Sequence, residues 1–464
     1  MKFRSMLTVV ALLAATPAFS QALSDAERTQ VDRIVTDTLK ATDVPSASIA
    51  VVRGGAIVFA KAYGKQSETM LTPRDDAPYQ IASISKQFTA AATLLLENDG
   101  KLSLDDKVAK HLHGITDGDK ITIRQLLSHT SGLQDYWPQD YSFKAMATPV
   151  SPQGIVDRWA KKPLDFVPGT QWQYSNTGYV VAGMIVEKVA GMPLLDFLKL
   201  RIFTPLGITA YDQDLAVGSG FPQGYGRAAM GPLRAAVPAA EGWLFAAGEL
   251  AMSARDLAKW DVARLDRKIL TPEGWMLQET PVKLEDGTST GYGLGVSIGS
   301  ANGRRFVEHS GEAVGFLSEN IVYPDEKAAV VVLTNTWSSD AYATIAQGIA
   351  RALFPAPPAS AADTAALSRA RQVFDQLRGG TLDRALLTEN ANYYFTPVTR
   401  TDFKDSLAPL GEPVSFVQTG RSRLRGGFIG RSFRVTYADR ALTISSYADQ
   451  SGKIEQFLIT PVQP

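Results

Sequence analysis

Ser83-Ile84-Ser85-Lys86 occurs once in the 464 residues, where an apolar, strand-like run gives way to a helical pattern. On a helix, residues three apart share a face, so the Ser83 hydroxyl and the Lys86 amine come within hydrogen-bond reach. That pair suggests a serine nucleophile beside its own base. Two common residue types at one fixed spacing arise by chance about once in a chain of this length, so the weight of the motif rests on its company.

Two further elements follow in order. Tyr174-Ser175-Asn176 is the only Y-x-N, and His309-Ser310-Gly311 the only H-[S/T]-G, while K-T-G is absent. Three unique elements in this order resemble the serine β-lactamase and penicillin-binding-protein superfamily, specifically its class C-like branch of β-lactamases, DD-peptidases, D-aminopeptidases and esterases. The likeness extends to the run from Ile121 to Leu133, and to Pro168-Gly169-Thr170 leading into the tyrosine motif. It covers roughly Leu23 to Leu353 and not the remainder.

The resemblance implies an α+β fold, an antiparallel sheet flanked by helices with an inserted helical lobe. It implies an acyl-enzyme on Ser83, with Lys86 and Tyr174 acting as a coupled unit. Tyr174 would protonate the leaving group and later help to activate the deacylating water; which of the two takes the Ser83 proton stays open. Asn176 would hydrogen-bond Lys86 and a substrate amide. His309-Ser310-Gly311 would end an edge strand beside the nucleophile. There the N–H groups of Ser83 and Glu312 would form an oxyanion hole, and Gly311 would permit the close backbone approach. No E-x-x-L-N occurs, so the class A carboxylate is missing and the tyrosine route is favoured.

His309 departs from the lysine of K-T-G. A histidine of ordinary pKa ~6.5 is mostly neutral at pH 7 and holds a substrate carboxylate weakly. Esters or D-amino-acid amides are therefore expected ahead of penicillins. The rivals in the same class are a class C-like β-lactamase and a DD-carboxypeptidase; the rival from another class is a binding or sensor protein without turnover.

Composition narrows the field. Lys plus Arg equals Asp plus Glu at 47 each, so no net field favours nucleic acid or anionic lipid, and a small-molecule or peptide-like substrate is expected. Lys2 and Arg4, the apolar run from Met6 to Ala15, and Pro17-Ala18-Phe19-Ser20 read as a signal peptide over residues 1–20, hence a periplasmic or secreted protein. No other segment has the ~20 apolar residues of a membrane span. With no cysteine there is no disulfide, and no cofactor or metal is expected.

Along the chain, Ser24 to Lys40 reads as a capped amphipathic helix, with Ser24 and Glu27 as a capping box. Ala47–Val52 and Ala56–Tyr63 read as a hairpin, residues 85 to about 260 as a helical lobe, and Gly293–Ile298, Arg305–His309, Phe316–Tyr323 and Ala328–Thr334 as strands before a helix at Ala341–Leu353. The hydrolase domain thus spans 21–353. A Pro/Ala-rich linker follows at 354–362, then a small α+β domain at 363–464 with one helix and about four strands, faintly similar in topology to NTF2-like or cystatin-like domains.

Other candidates take blander readings. His129-Thr130-Ser131-Gly132 reads as a structural helix end, Ser318-Glu319-Asn320 as part of a strand, and His111 with His113 as no metal site. Tyr136 and Trp137 either line a substrate groove or pack against the lobe. Arg421, Arg423 and Arg425 alternate on a strand, as a solvated face or as a contact for an anion or a protein.

Overall fold

The computed structural model describes residues 22–137, 144–301, 304–354 and 360–462. The segment read as a signal peptide lies outside these residues, as do positions 355–359 of the linker stretch. Among the described residues two compact units emerge, one from those between 22 and 299 together with 305–354, the other from 360–462 together with 300, 301 and 304.

The first unit opens with α1 (Asp25–Thr42), whose Ser24 and Glu27 form the reciprocal capping box and whose Val31 and Val35 face the core. β1 (Ser46–Arg53) and β2 (Ala56–Gly64) make the hairpin. The chain then enters the lobe, carried mainly by α2 (Lys86–Asn98), α3 (Asn176–Ala190) and α4 (Ala254–Leu265). It returns as β3 (Ser297–Ala301), β4 (Arg304–Ala313), β5 (Phe316–Tyr323) and β6 (Ala328–Thr334), and closes with α5 (Ala341–Leu353).

These strands form one six-stranded sheet in the order β2-β1-β6-β5-β4-β3. Both ends of the unit therefore meet in it, with β1 paired antiparallel to β6 from Ala47↔Thr334 to Val52↔Ala329. Side chains alternate across each strand. Ala47, Ile49 and Val51 face α1 and α5, whereas Ala50 and Val52 join the core of the lobe. All seven residues of β6 are buried, which explains its unbroken apolar run.

Two strand readings need correction. The strand expected at Gly293–Ile298 is displaced to Ser297–Ala301, because Gly295 turns at φ +75° against α2, where an added Cβ would lie 2.7 Å from the Lys86 carbonyl oxygen. The strand expected to end at His309 continues to Ala313, so His309, Ser310 and Gly311 lie within β4, paired with Asn320, Glu319 and Ser318 of β5. Nor is β4 the outermost strand, since β3 follows it in the sheet.

In the second unit, α6 (Ala361–Gly379) and α7 (Pro397–Leu407) accompany a four-stranded meander of β7 (Ser415–Arg425), β8 (Phe428–Thr436), β9 (Ala441–Ala448) and β10 (Ile454–Pro461). Val373, Phe374, Phe433 and Ile444 centre its own core. Arg421, Arg423 and Arg425 fall in β7, which shifts register between Thr419 and Arg423; their side chains lie outside the described set. Among the described residues no helix is long and apolar enough to cross a membrane.

Candidate active site

Ser83 sits in a 3₁₀ turn, Ala82–Ser85, that runs directly into α2. Ala82 precedes it at φ +46°, a conformation an L-residue adopts only under constraint, so the turn presenting Ser83 is held by its surroundings. The turn still brings the two residues together: Lys86 Nζ lies 3.0 Å from Ser83 Oγ.

Lys86 is wholly buried, and its Nζ is also 2.7 Å from Asn176 Oδ1 and 2.7 Å from the Ala247 carbonyl oxygen. An ammonium donates three hydrogen bonds and the geometry offers three acceptors. A neutral amine keeps the two 2.7 Å bonds and turns its lone pair toward Ser83. Burial decides between these forms by pushing the Lys86 pKa down to about 7, against the opposing pull of the Asp135 carboxylate.

Asn176 is the first residue of α3. Its backbone N–H donates to Asp135 Oδ1 at 2.9 Å and its Nδ2 to Asp135 Oδ2 at 3.1 Å. That fixes the amide with its oxygen toward Lys86. Asp135 carries no motif and escapes a reading by spacing; it lies two residues beyond the stretch Ile121–Leu133 that carries the resemblance.

Tyr174 lies just before α3, with Lys86 Nζ 4.8 Å from its ring centroid. Burial pushes its phenol well above the ordinary range, and a hydrogen bond with Ser83 opposes this only in part. The loop holding it is clamped from behind. His129 accepts the Ser175 N–H on Nδ1 at 3.1 Å, its carbonyl accepts the Gln173 N–H at 2.9 Å, and its ring lies 4.3 Å from that of Tyr174. The Ile121–Leu133 stretch and the tyrosine motif are thus one structural piece, with His129 a support outside the cavity lining.

His309 is buried and neutral. Its Nδ1 lies 2.6 Å from the Ser310 carbonyl oxygen and must carry the proton, so Nε2 accepts from the Tyr292 hydroxyl at 2.8 Å. Burial, then the nearby Lys86 charge, push its pKa down to about 3. Gly311 packs against the chain before Ser83, where a Cβ would stand 2.1 Å from the Ile81 carbonyl oxygen and 2.4 Å from Ser318 Oγ.

Ser83, Tyr174, Asn176, His309, Ser310 and Glu312 share one cavity of about 390 Å³ with Trp137, Trp172 and Leu244. The open question about the two aromatics divides: Trp137 lines the cavity, whereas Tyr136 is buried with its hydroxyl on the Trp243 carbonyl. Ser318 and Asn320 are structural, Asn320 bridging Asp261 of α4 and Gln87 of α2. His111 spends Nε2 on Asp106 at 2.9 Å, and no group of three or more His, Cys, Asp or Glu side chains suited to a metal occurs among the described residues.

Residues 31–353 match the family model described as Beta-lactamase. A penicillin-binding protein of Bacillus subtilis (strain 168) is 30% identical over 307 residues, covering 62% of this chain and 68% of that protein. A D-aminopeptidase of Brucella anthropi is 28% identical over 304 residues, 63% of this chain but only 56% of its own length. The crystal structure of a D-stereospecific amidohydrolase from Streptomyces sp. superposes with a TM-score of 0.61 at 28% identity, over 71% of this chain and 99% of that one. The chain belongs to the beta-lactamase family. It is a serine hydrolase of the β-lactamase-like superfamily.

Proposed function

We propose that the chain hydrolyses esters or D-amino-acid amides through an acyl-enzyme on Ser83, with Lys86 as the base of acylation. The observation that carries this is the buried Lys86 amine, 3.0 Å from Ser83 Oγ and tuned to about 7. In acylation the Ser83 oxygen attacks the carbonyl carbon as its proton passes to Lys86, and the N–H groups of Ser83 and Glu312 receive the oxyanion. Tyr174, too strongly desolvated to ionise readily, serves as a protonated relay that hands a proton to the departing alcohol or amine. Water then attacks the acyl carbonyl, its proton passes through the Tyr174 relay to Lys86, and Lys86 returns a proton to Ser83 Oγ as the bond to the acyl carbon breaks.

The His309 ring favours these substrates over β-lactams. Both its nitrogens are occupied and it carries no charge, so a carboxylate gains no ion pair there. Short-chain esters and D-amino-acid amides are expected to turn over with kcat/KM at least about tenfold above a chromogenic cephalosporin, roughly the worth of one missing charge-assisted contact. A cephalosporin preferred over both would reverse the reading. The names of the amidohydrolase and aminopeptidase relatives support the amide arm. The sequence of residues 1–20 supports export, which places the reaction in the periplasm or outside the cell.

The direct test is a fluorophosphonate probe followed by intact mass and peptide mapping. One adduct per chain on the peptide containing Ser83 is expected. Modification elsewhere, or none on folded protein, refutes the nucleophile.

A further inference from the structure

A second cavity of about 190 Å³ shares Trp172, Tyr174, His309 and Ser310 with the nucleophile's cavity and continues past them to Tyr292, Ser297, Glu308, Glu319 and Tyr342. Its floor is set by strand register. Ser310 of β4 faces Glu319 of β5, and Glu308 faces Ile321, so Glu308 and Glu319 are diagonal neighbours on one face of the sheet. No lysine, arginine or histidine among the described residues pairs with either carboxyl. Glu319 Oε1 is shielded from solvent, lacks any hydrogen-bond partner and belongs to a side chain lining the cavity.

A protein rarely leaves a carboxyl oxygen buried and unmatched. Burial, and then the neighbouring Glu308, raise the Glu319 pKa to about 8, and burial raises that of Glu308. Neighbouring carboxyls oppose each other's ionisation, so at neutral pH the pair does not carry its full double charge. Around it stand the rings of Trp172, Tyr292 and Tyr342. A partly ionised carboxyl pair beside aromatic side chains suits a single ammonium, which gains from both carboxylate and π-faces. It suits a divalent metal poorly, because two carboxyls and aromatic rings offer too few oxygen ligands.

The position of this cavity gives the ammonium a role. Tyr174 stands in the wall between the two cavities, and in the reading above it protonates the leaving group. A leaving group that takes its proton from Tyr174 would depart on the Tyr174 side, and Tyr174 also lines the cavity that holds Glu308 and Glu319. We propose that this second cavity is a leaving-group subsite for a cation, selecting esters or amides whose alcohol or amine portion carries an ammonium. The proposal rests on the Ser83 hydrolase reading for its place in the reaction, though not for the binding itself. In the step concerned, the bond between Ser83 Oγ and the acyl carbon forms, the bond from that carbon to the leaving heteroatom breaks, and the heteroatom takes its proton from Tyr174. The ammonium is unchanged throughout.

The chain has no cysteine, so thiol release can be followed with a disulfide reagent without background from the protein. Acetylthiocholine and its neutral isostere S-(3,3-dimethylbutyl) thioacetate differ only in the charge of the leaving group. The cation is expected to be preferred by at least about tenfold in kcat/KM, the scale of one desolvated cation contact. In Glu308→Gln/Glu319→Gln the ratio is expected to fall to near one. A ratio near one in the unaltered protein, or a preference that survives in the folded double variant, overturns the subsite.

Calorimetric titration with choline separates this claim from the hydrolase reading. Saturable binding to the unaltered protein and to Ser83→Ala, lost in the single variant Glu319→Gln, supports the subsite even if neither thioester turns over. If the double variant does not fold, Glu308→Gln, at the less buried position, carries the comparison in its place. Absence of choline binding overturns the subsite even if Ser83 takes the fluorophosphonate.

Discussion

Ser83→Ala and Lys86→Met are each expected to lower kcat/KM by at least about 1,000-fold, and the double variant to be scarcely worse than either single one. A general base contributes about 100- to 10,000-fold, and residues that act as one unit fail to add. Without the Ser83 hydroxyl there is no proton for Lys86 to take. Without Lys86 the hydroxyl keeps its proton, and Asn176 Oδ1 and the Ala247 carbonyl lose their shared donor. Methionine fills the lysine channel with a flexible apolar chain, so loss of packing is kept small. Additive losses in the double variant would show that the two side chains act on separate steps.

The pH dependence gives the same expectation a sign. With Lys86 as the proposed base, acylation would need the neutral amine, so kcat/KM should rise with pH through about 7, the value to which burial lowers Lys86, and flatten above it. Below that point activity should fall about tenfold per pH unit as the amine becomes an ammonium. Neither histidine near the tyrosine motif can supply this limb. His309 is held down to about 3, and His129 well below its ordinary value, in both cases chiefly by burial. A limb centred near 10 would mean that Lys86 is solvated, and would remove it as the base.

What could be read from the sequence follows physical lines. Ser83 and Lys86 were legible because three residues of helical or 3₁₀ backbone fix their separation whatever the rest of the fold does. The hairpin, the strands Phe316–Tyr323 and Ala328–Thr334 and the helix Ala341–Leu353 were legible from apolar pattern, and they appear with those bounds or within two residues of them. The continuation of β4 through Ser310-Gly311-Glu312 was not, because glycine and glutamate are poor strand formers and pairing with β5 overrides their local preference. Asp135, Tyr292 and Trp172 were not legible either. Each reaches the site from a loop whose course is set by tertiary packing, and no fixed spacing joins it to Ser83. His129 shows the middle case, its structural role readable from its motif but its place behind the Tyr174 ring visible only in three dimensions.

Gly311→Ala is the substitution expected to damage the site most without touching a polar side chain. The added methyl would stand 2.1 Å from the Ile81 carbonyl oxygen and 2.4 Å from Ser318 Oγ, far inside contact distance. Ser318 can rotate away, but the Ile81 carbonyl is backbone, two residues before Ser83, and accepts the Ile84 N–H at 3.2 Å. Relief therefore requires β4 to move away from the Ser83 turn. Overpacking of this kind costs about 1–3 kcal/mol of stability. The larger effect is chemical, because Glu312 follows Gly311 directly and any retreat of the strand draws its N–H away from the carbonyl it would polarise. Loss of one such donor lowers kcat by about 100- to 1,000-fold. The expected result is a protein whose melting temperature drops by a few degrees while kcat collapses and KM changes little. Near-native kcat with the same drop in melting temperature would show that the close approach of β4 to Ile81 serves packing alone, and would move the oxyanion donors elsewhere.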